Sequence, residues 1–122
     1  MSAGGEVRHD RIIIVESDLQ VATWLAVALR ELGLDIDSVH HDSDSALAAI
    51  HGLNCSLYHP LVILDGDLGQ GGSEVIARIL ANKGVRFILH TDRELSSDSA
   101  FRNMAFSVLP KSRNKSRLVS LL

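Results

Sequence analysis

Leu61-Val62-Ile63-Leu64-Asp65-Gly66-Asp67 is the stretch whose reading decides the fold. The uninterrupted apolar run Leu61 to Leu64 suits a strand covered on both faces, because a solvated face would call for a polar residue at every second position. The run stops at an acid, and Leu68-Gly69-Gln70-Gly71-Gly72 follows as a glycine-rich turn. Ser73-Glu74 opens a stretch in which Val75, Ile76, Ile79 and Leu80 recur at helical spacing, closed by Gly84. Buried strand, turn and helix in this order form the repeating half of a parallel sheet covered by helices.

The same pattern extends in both directions. Upstream, Ile12-Ile13-Ile14-Val15 ends at Glu16-Ser17-Asp18, and Val21, Leu25, Ala28, Leu29 and Leu32 then recur at helical spacing before Gly33. Leu34, Ile36 and Ser38 alternate with Asp35, Asp37 and Val39 as an edge strand would, and Ala46, Leu47 and Ile50 mark a short helix. Downstream, Val85 to Leu89 is a strand ending at His90-Thr91, and Ala100, Phe101 and Met104 begin a helix. Ser107-Val108-Leu109 is a short strand, and Leu118, Val119, Leu121 and Leu122 form the apolar face of a last helix. The expected fold is α/β, a single doubly wound parallel sheet of five strands with five helices.

Composition bounds the function. A chain of 122 residues, 46% hydrophobic and 22% charged, suits one domain with its own core. A formal net charge of -3 provides no electrostatic footprint for nucleic acid or an anionic membrane surface. Cys55, the sole cysteine, cannot close an intramolecular disulfide, and no apolar run approaches the roughly 18 residues of a membrane span. Residues 1–10 lack the apolar region of a secretory signal and read as a flexible leader to a domain spanning 11–122. The expected location is the cytoplasm.

In an open parallel sheet, ligands bind beyond the carboxyl ends of the strands. Those ends carry Glu16-Ser17-Asp18, Asp65, Thr91 and Lys111. Carboxylates from neighbouring strands suit magnesium, which prefers oxygen ligands and keeps several waters. A hydroxyl and an ammonium beside them suit phosphate oxygens, and an aspartate can form an acyl phosphate. The set reads as a phosphoryl-transfer site with Asp65 as nucleophile.

Read together, these motifs resemble the receiver domain of two-component response regulators, a flavodoxin-like fold with strand order 2-1-3-4-5. Ile-Ile-Ile-Val-Glu16-Ser17-Asp18 is similar to the family's first acidic motif, Leu-Val-Ile-Leu-Asp65 to its phosphoacceptor strand, Ile-Leu-His-Thr91 to its switch hydroxyl and Leu-Pro-Lys111 to its lysine. The resemblance covers the chain from Arg11 to Leu122. It implies that Asp65 accepts a phosphoryl group from a histidine kinase or a histidine phosphotransfer protein. Magnesium would be held by Glu16, Asp65 and the backbone carbonyl of Asp67. Thr91 and Lys111 would contact the phosphoryl group and remodel the face of the fourth helix, fifth strand and fifth helix. A downstream effector protein reads that face, which is also where the resemblance places any dimer contact.

Departures from the pattern are informative. Counting back from Glu31-Leu32-Gly33, Ser17 falls where the family has a second carboxylate that binds the metal directly. One close charge pair at surface-like dielectric is worth about 1 to 4 kcal/mol, so weaker magnesium binding is expected here. Asp18, one position on, has at most a water-mediated part, and Glu16 and Asp18 also suit the N-terminus of the helix that follows. Ser17 itself is more simply a capping or first-turn serine. Val108 replaces the family's usual switch aromatic, and Ser112 follows Lys111 where proline is usual. Asp67 and Arg93 flank the path of the hydrolytic water by resemblance, and an ion pair between them would slow dephosphorylation.

Other readings are weaker. The glycines Gly66, Gly69, Gly71 and Gly72 lack the lysine of a P-loop and the spacing of a dinucleotide motif. The histidines, among them His40, His41 and His90, have no zinc spacing and read as isolated surface or partly buried residues. Lys111, Arg113, Lys115 and Arg117 read as a solvated basic face, and Trp24 and Phe101 as core. Leu-Asp65-Gly66-Asp67 also looks like the nucleophile motif of haloacid dehalogenase-like phosphatases, but no acid follows Lys111 to complete such a site. A pseudo-receiver, the same fold serving as an interaction module without phosphorylation, is the main alternative.

Overall fold

The computed structural model describes residues 11–53, 59–96, 99–111 and 115–121. The expected leader 1–10, Cys55, Ser112, Arg113 and Leu122 lie outside them. In chain order the elements are β1 (Arg11–Val15), α1 (Leu19–Glu31), β2 (Ile36–His40), α2 (Ser43–His51) and β3 (Pro60–Asp65). They continue with α3 (Gly72–Lys83), β4 (Arg86–His90), α4 (Ala100–Met104), β5 (Ser107–Leu109) and α5 (Lys115–Leu121). The strands form one sheet in the order β2-β1-β3-β4-β5, with every neighbouring pair parallel. This is the expected doubly wound fold.

Alternation along the strands divides the apolar side chains between two cores. Ile12, Ile14, Leu61, Ile63, Ile88 and Leu109 face α1 and α5, where Val21, Leu25, Leu29 and Leu118 meet them. Ile13, Val15, Val62, Leu64, Phe87 and Leu89 face the other way, onto Ile50 of α2, Ile76 and Leu80 of α3, and Phe101 of α4. Every residue of β3 is buried, as its unbroken apolar run requires. Gly84 ends α3 with φ at +71°, a left-handed turn that a side chain would strain, and Val85 N–H then donates to the Leu80 carbonyl at 2.9 Å.

Some details depart from the expected pattern. In β2, simple alternation sets Val39 apart from Ile36, yet both pack on the α1 core. The pairing with β1 slips by one residue, Ile12 opposite Ile36 but Ile13 opposite Ser38, and the slip turns Val39 inward. The skipped Asp37 is exposed and pairs with Arg11 at 2.6 Å. Val75 and Val119 were expected on apolar faces, but they are half exposed, because Ile76 and Leu118 already fill the buried stripes of their helices. Trp24 is only partly buried at the rim of the α1 core. Among the described residues no helix is long and apolar enough to cross a membrane.

These burial differences set a test. Ile63→Ala, at the centre of β3, should cost about 2 to 5 kcal/mol in denaturant unfolding. Val75→Ala should stay within about 0.5 kcal/mol of the wild type.

Candidate functional site

The alternation that fills the α1 core also positions the polar groups. Glu16, Asp65 and His90 continue the parity of Ile14, Ile63 and Ile88, so all three carboxyl-end side chains fall on the α1 and α5 side of the sheet. Glu16 is 0%, Asp65 1% and His90 1% exposed, far below what ionisable side chains tolerate without partners. Their partners are close at hand. Lys111, just past β5, reaches between the two acids, with Nζ 2.9 Å from Asp65 Oδ1 and 3.1 Å from Glu16 Oε2. Its backbone N–H donates to Asp92 Oδ1 at 2.8 Å, which fixes where the side chain starts.

Both oxygens of Asp65 take further hydrogen bonds. The Asp67 N–H donates to Oδ1 at 2.9 Å, and the Ser17 hydroxyl donates to Oδ2 at 2.8 Å. Burial alone would raise the Asp65 pKa, but the hydrogen bonds from Lys111, the Asp67 amide and Ser17 outweigh it and hold the carboxyl down, from 3.8 to about 2. Burial would likewise lower the Lys111 ammonium, and its contacts with Asp65 and Glu16 instead raise it. Asp65 is therefore an anion across the physiological range.

On the opposite face, Thr91 is 2% exposed. It packs over Gly66, where an added Cβ would lie 2.8 Å from the Thr91 Cβ, so only glycine admits this approach. The Thr91 hydroxyl donates to Asp67 Oδ2 at 3.4 Å and accepts from the Arg93 N–H at 3.1 Å. Arg93 returns across the turn to meet Asp67 at 3.0 Å and the Gly66 carbonyl at 3.2 Å. The expected Asp67 to Arg93 ion pair is thus formed, half exposed, and worth about 0 to 1 kcal/mol in stability.

Three positions read differently from their sequence context. Ser17 is not the cap of α1, because Asp18 takes that place, accepting from the Gln20 and Val21 amides at 2.9 and 3.2 Å. Asp18 is spent on the helix and Ser17 turns to Asp65. Ser73 does not cap α3 either, since Gly71 precedes the helix without a side-chain cap. Its buried hydroxyl donates to the Asp65 carbonyl at 2.7 Å and accepts from the Leu68 N–H at 2.9 Å, pinning the turn after the acceptor strand. His90, expected as an isolated histidine, is buried with Nδ1 3.3 Å from Glu16 Oε1. Parity with Ile88 was the sequence signal for its placement; Ser73 carried none.

Among the described residues no three His, Cys, Asp or Glu side chains converge closely enough to form a metal cluster. Glu16 and Asp65, however, share one ammonium and so lie within reach of a common small cation. Two carboxylates, a hydroxyl and a backbone carbonyl are donors that magnesium accepts alongside water. The set fits magnesium.

No family model and no curated protein matches this sequence. Solved structures do. The chain superimposes on response regulator protein TrrA from Thermotoga maritima, solved in complex with Mg(2+)-BeF, with TM-score 0.73 and 28% identity over 93% of this chain and 99% of that one. A CheY-like receiver domain protein from Methanospirillum hungatei gives 0.74 at 21% identity, covering 93% and 90% of the two chains. The N-terminal domain of a response regulator/sensory box/GGDEF protein from Carboxydothermus hydrogenoformans gives 0.74 at 18%, covering 91% and 89%. The architecture is that of the response regulator receiver domains, a class of signalling domains.

The depressed Asp65 carboxyl carries a pH signature. Its contribution to stability is complete above the unfolded value near 3.8 and is lost as pH falls through about 2. Asp65→Asn should flatten the acid limb of the unfolding free energy between about pH 4 and 2, measured by denaturant titration at successive pH values.

Proposed function

We propose that this domain is a phosphoacceptor receiver in which Asp65 takes a phosphoryl group from a phosphohistidine on a histidine kinase or a histidine phosphotransfer protein. One observation carries the reading: a buried, ionised Asp65 at the end of the central strand, with a lysine on Oδ1 and, on Oδ2, only the hydroxyl and backbone N–H of Ser17. In the transfer, Oδ2 attacks phosphorus, a P–O bond forms, the P–N bond breaks, and the imidazole leaves with a proton. Little covalent chemistry is asked of the protein beyond positioning and charge neutralisation.

Glu16, Asp65 and the Asp67 backbone carbonyl are the groups that would hold magnesium. When bound, the ion neutralises charge on the phosphoryl oxygens as they approach two carboxylates. Lys111 stays with Oδ1 and supplies a second positive charge. Thr91 has its hydroxyl on Asp67 and Arg93, and must leave them to reach the new phosphate. That movement is the switch in this reading, transmitted to the face of α4, β5 and α5 for a downstream effector. By the resemblance Asp67 and Arg93 flank the path of the hydrolytic water, and their ion pair would slow attack on the acyl phosphate. The domain works in the cytoplasm, without direct contact to nucleic acid or membrane.

A second reading has its own support. Lys111 and Ser17 already satisfy Asp65 without any ion, as a pseudo-receiver that binds partners unmodified would require.

Intact-protein mass after incubation with acetyl phosphate separates the two. The receiver reading expects one magnesium-dependent adduct of about 80 Da in the wild type, none in Asp65→Asn, and a lower half-saturating magnesium concentration in Ser17→Asp, by roughly 10-fold or more. A folded wild type that stays unmodified at high magnesium while Ser17→Asp is phosphorylated would establish the pseudo-receiver.

A further inference from the structure

Among the described residues His90 is the one buried histidine. It stands in register with Asp65 on the neighbouring strand, yet its ring reaches past β3 to Glu16 at the end of β1, with Nδ1 3.3 Å from Oε1. In the tautomer that carries its proton on Nδ1, the imidazole N–H donates to Oε1. The two oxygens of Glu16 are thereby divided between jobs. Oε1 belongs to His90, while Oε2 accepts from Lys111 Nζ and from the Asp18 N–H, each at 3.1 Å.

A glutamate's last torsion is broad, and its carboxylate plane turns freely unless something fixes both oxygens. The Asp18 amide and Lys111 hold only one edge of Glu16. Without the imidazole, Oε1 would be a buried acceptor with no partner, and the plane would rotate to find one, drawing Oε2 away from Asp65. Strand parity makes the contact possible: Thr91, the next residue, points to the other face of the sheet.

We propose that His90 is a positioning residue for Glu16, fixing the carboxylate plane so that one oxygen remains turned toward Asp65 and the cation they share. The magnesium arm of this inference rests on the reading above that Glu16 and Asp65 hold the ion. Groups that orient a ligand in this way commonly change metal affinity by about 10- to 100-fold.

The test is magnesium chloride titrated by calorimetry into wild type, His90→Leu and His90→Asn. Leucine keeps the apolar bulk without a donor, and asparagine places an amide N–H near the position of Nδ1–H. His90→Leu should weaken magnesium binding about 10-fold, and His90→Asn should remain within about threefold of the wild type. Unchanged affinity in a folded His90→Leu overturns the proposal, as does an equal loss in both variants, which would assign the effect to ring packing. His90→Gln, whose amide extends toward the Nε2 position, substitutes for leucine if that variant does not fold, and the same loss is expected.

If the wild type takes up no magnesium, the metal assignment has failed, and the positioning role is read in magnesium-free buffer. Denaturant unfolding of His90→Leu, Glu16→Gln and the double variant should then be non-additive, with His90→Asn restoring the coupling. Additive effects would overturn the proposal on their own.

Discussion

Two carboxylates buried on one face of a sheet share a single ammonium, and the rest of the site is arranged around that constraint. Glu16 and Asp65 are both essentially inaccessible, and in such surroundings unpaired like charges repel strongly. Lys111 relieves the repulsion from 2.9 and 3.1 Å. Removing one partner from a buried charge pair typically costs about 3 to 5 kcal/mol, so the lysine is a structural element of the site. Lys111 alone serves both acids, and on the reading proposed above a small cation at the carboxyl ends of these strands would neutralise the remainder.

Ser17 alters that balance. A carboxylate in its place would add a third negative charge and make the metal-free site dependent on a cation. A hydroxyl instead donates to Asp65 Oδ2 and brings no charge, so the site is closed and satisfied as it stands. On the reading proposed above, the serine lowers magnesium affinity and favours the metal-free site. On the far side of Gly66, a separate and more exposed network links Thr91, Asp67 and Arg93. Strand alternation keeps the two networks on opposite faces, joined through the backbone of Asp65 to Asp67.

Much of this was legible in the sequence, because parallel strands buried on both faces announce themselves as continuous apolar runs. The runs at Ile12 and Leu61 located the sheet, and the polar residue ending each located the site. What escaped notice depends on contacts between distant segments. The slip in β2 follows from pairing with β1, and no local pattern encodes it. Ser17 and Ser73 both precede or open helices, where capping is the local expectation, and only the assembled fold shows Asp65 competing for their hydroxyls. His90 was readable by parity with Ile88, but its partner lies 74 positions away. Val75 and Val119 show the converse, apolar residues whose helical spacing fits a buried face that a neighbour already fills.

If Asp65 is a working nucleophile, its site completes itself around a phosphoryl group and magnesium. Beryllofluoride, a tetrahedral mimic of that group, tests this without any donor protein, read by fluorine NMR during a magnesium titration. A protein-bound fluoride signal that requires both magnesium and Asp65 is expected, together with backbone amide shifts at Thr91 and along β5. Free beryllofluoride alone, persisting at saturating magnesium with the domain folded, would contradict it.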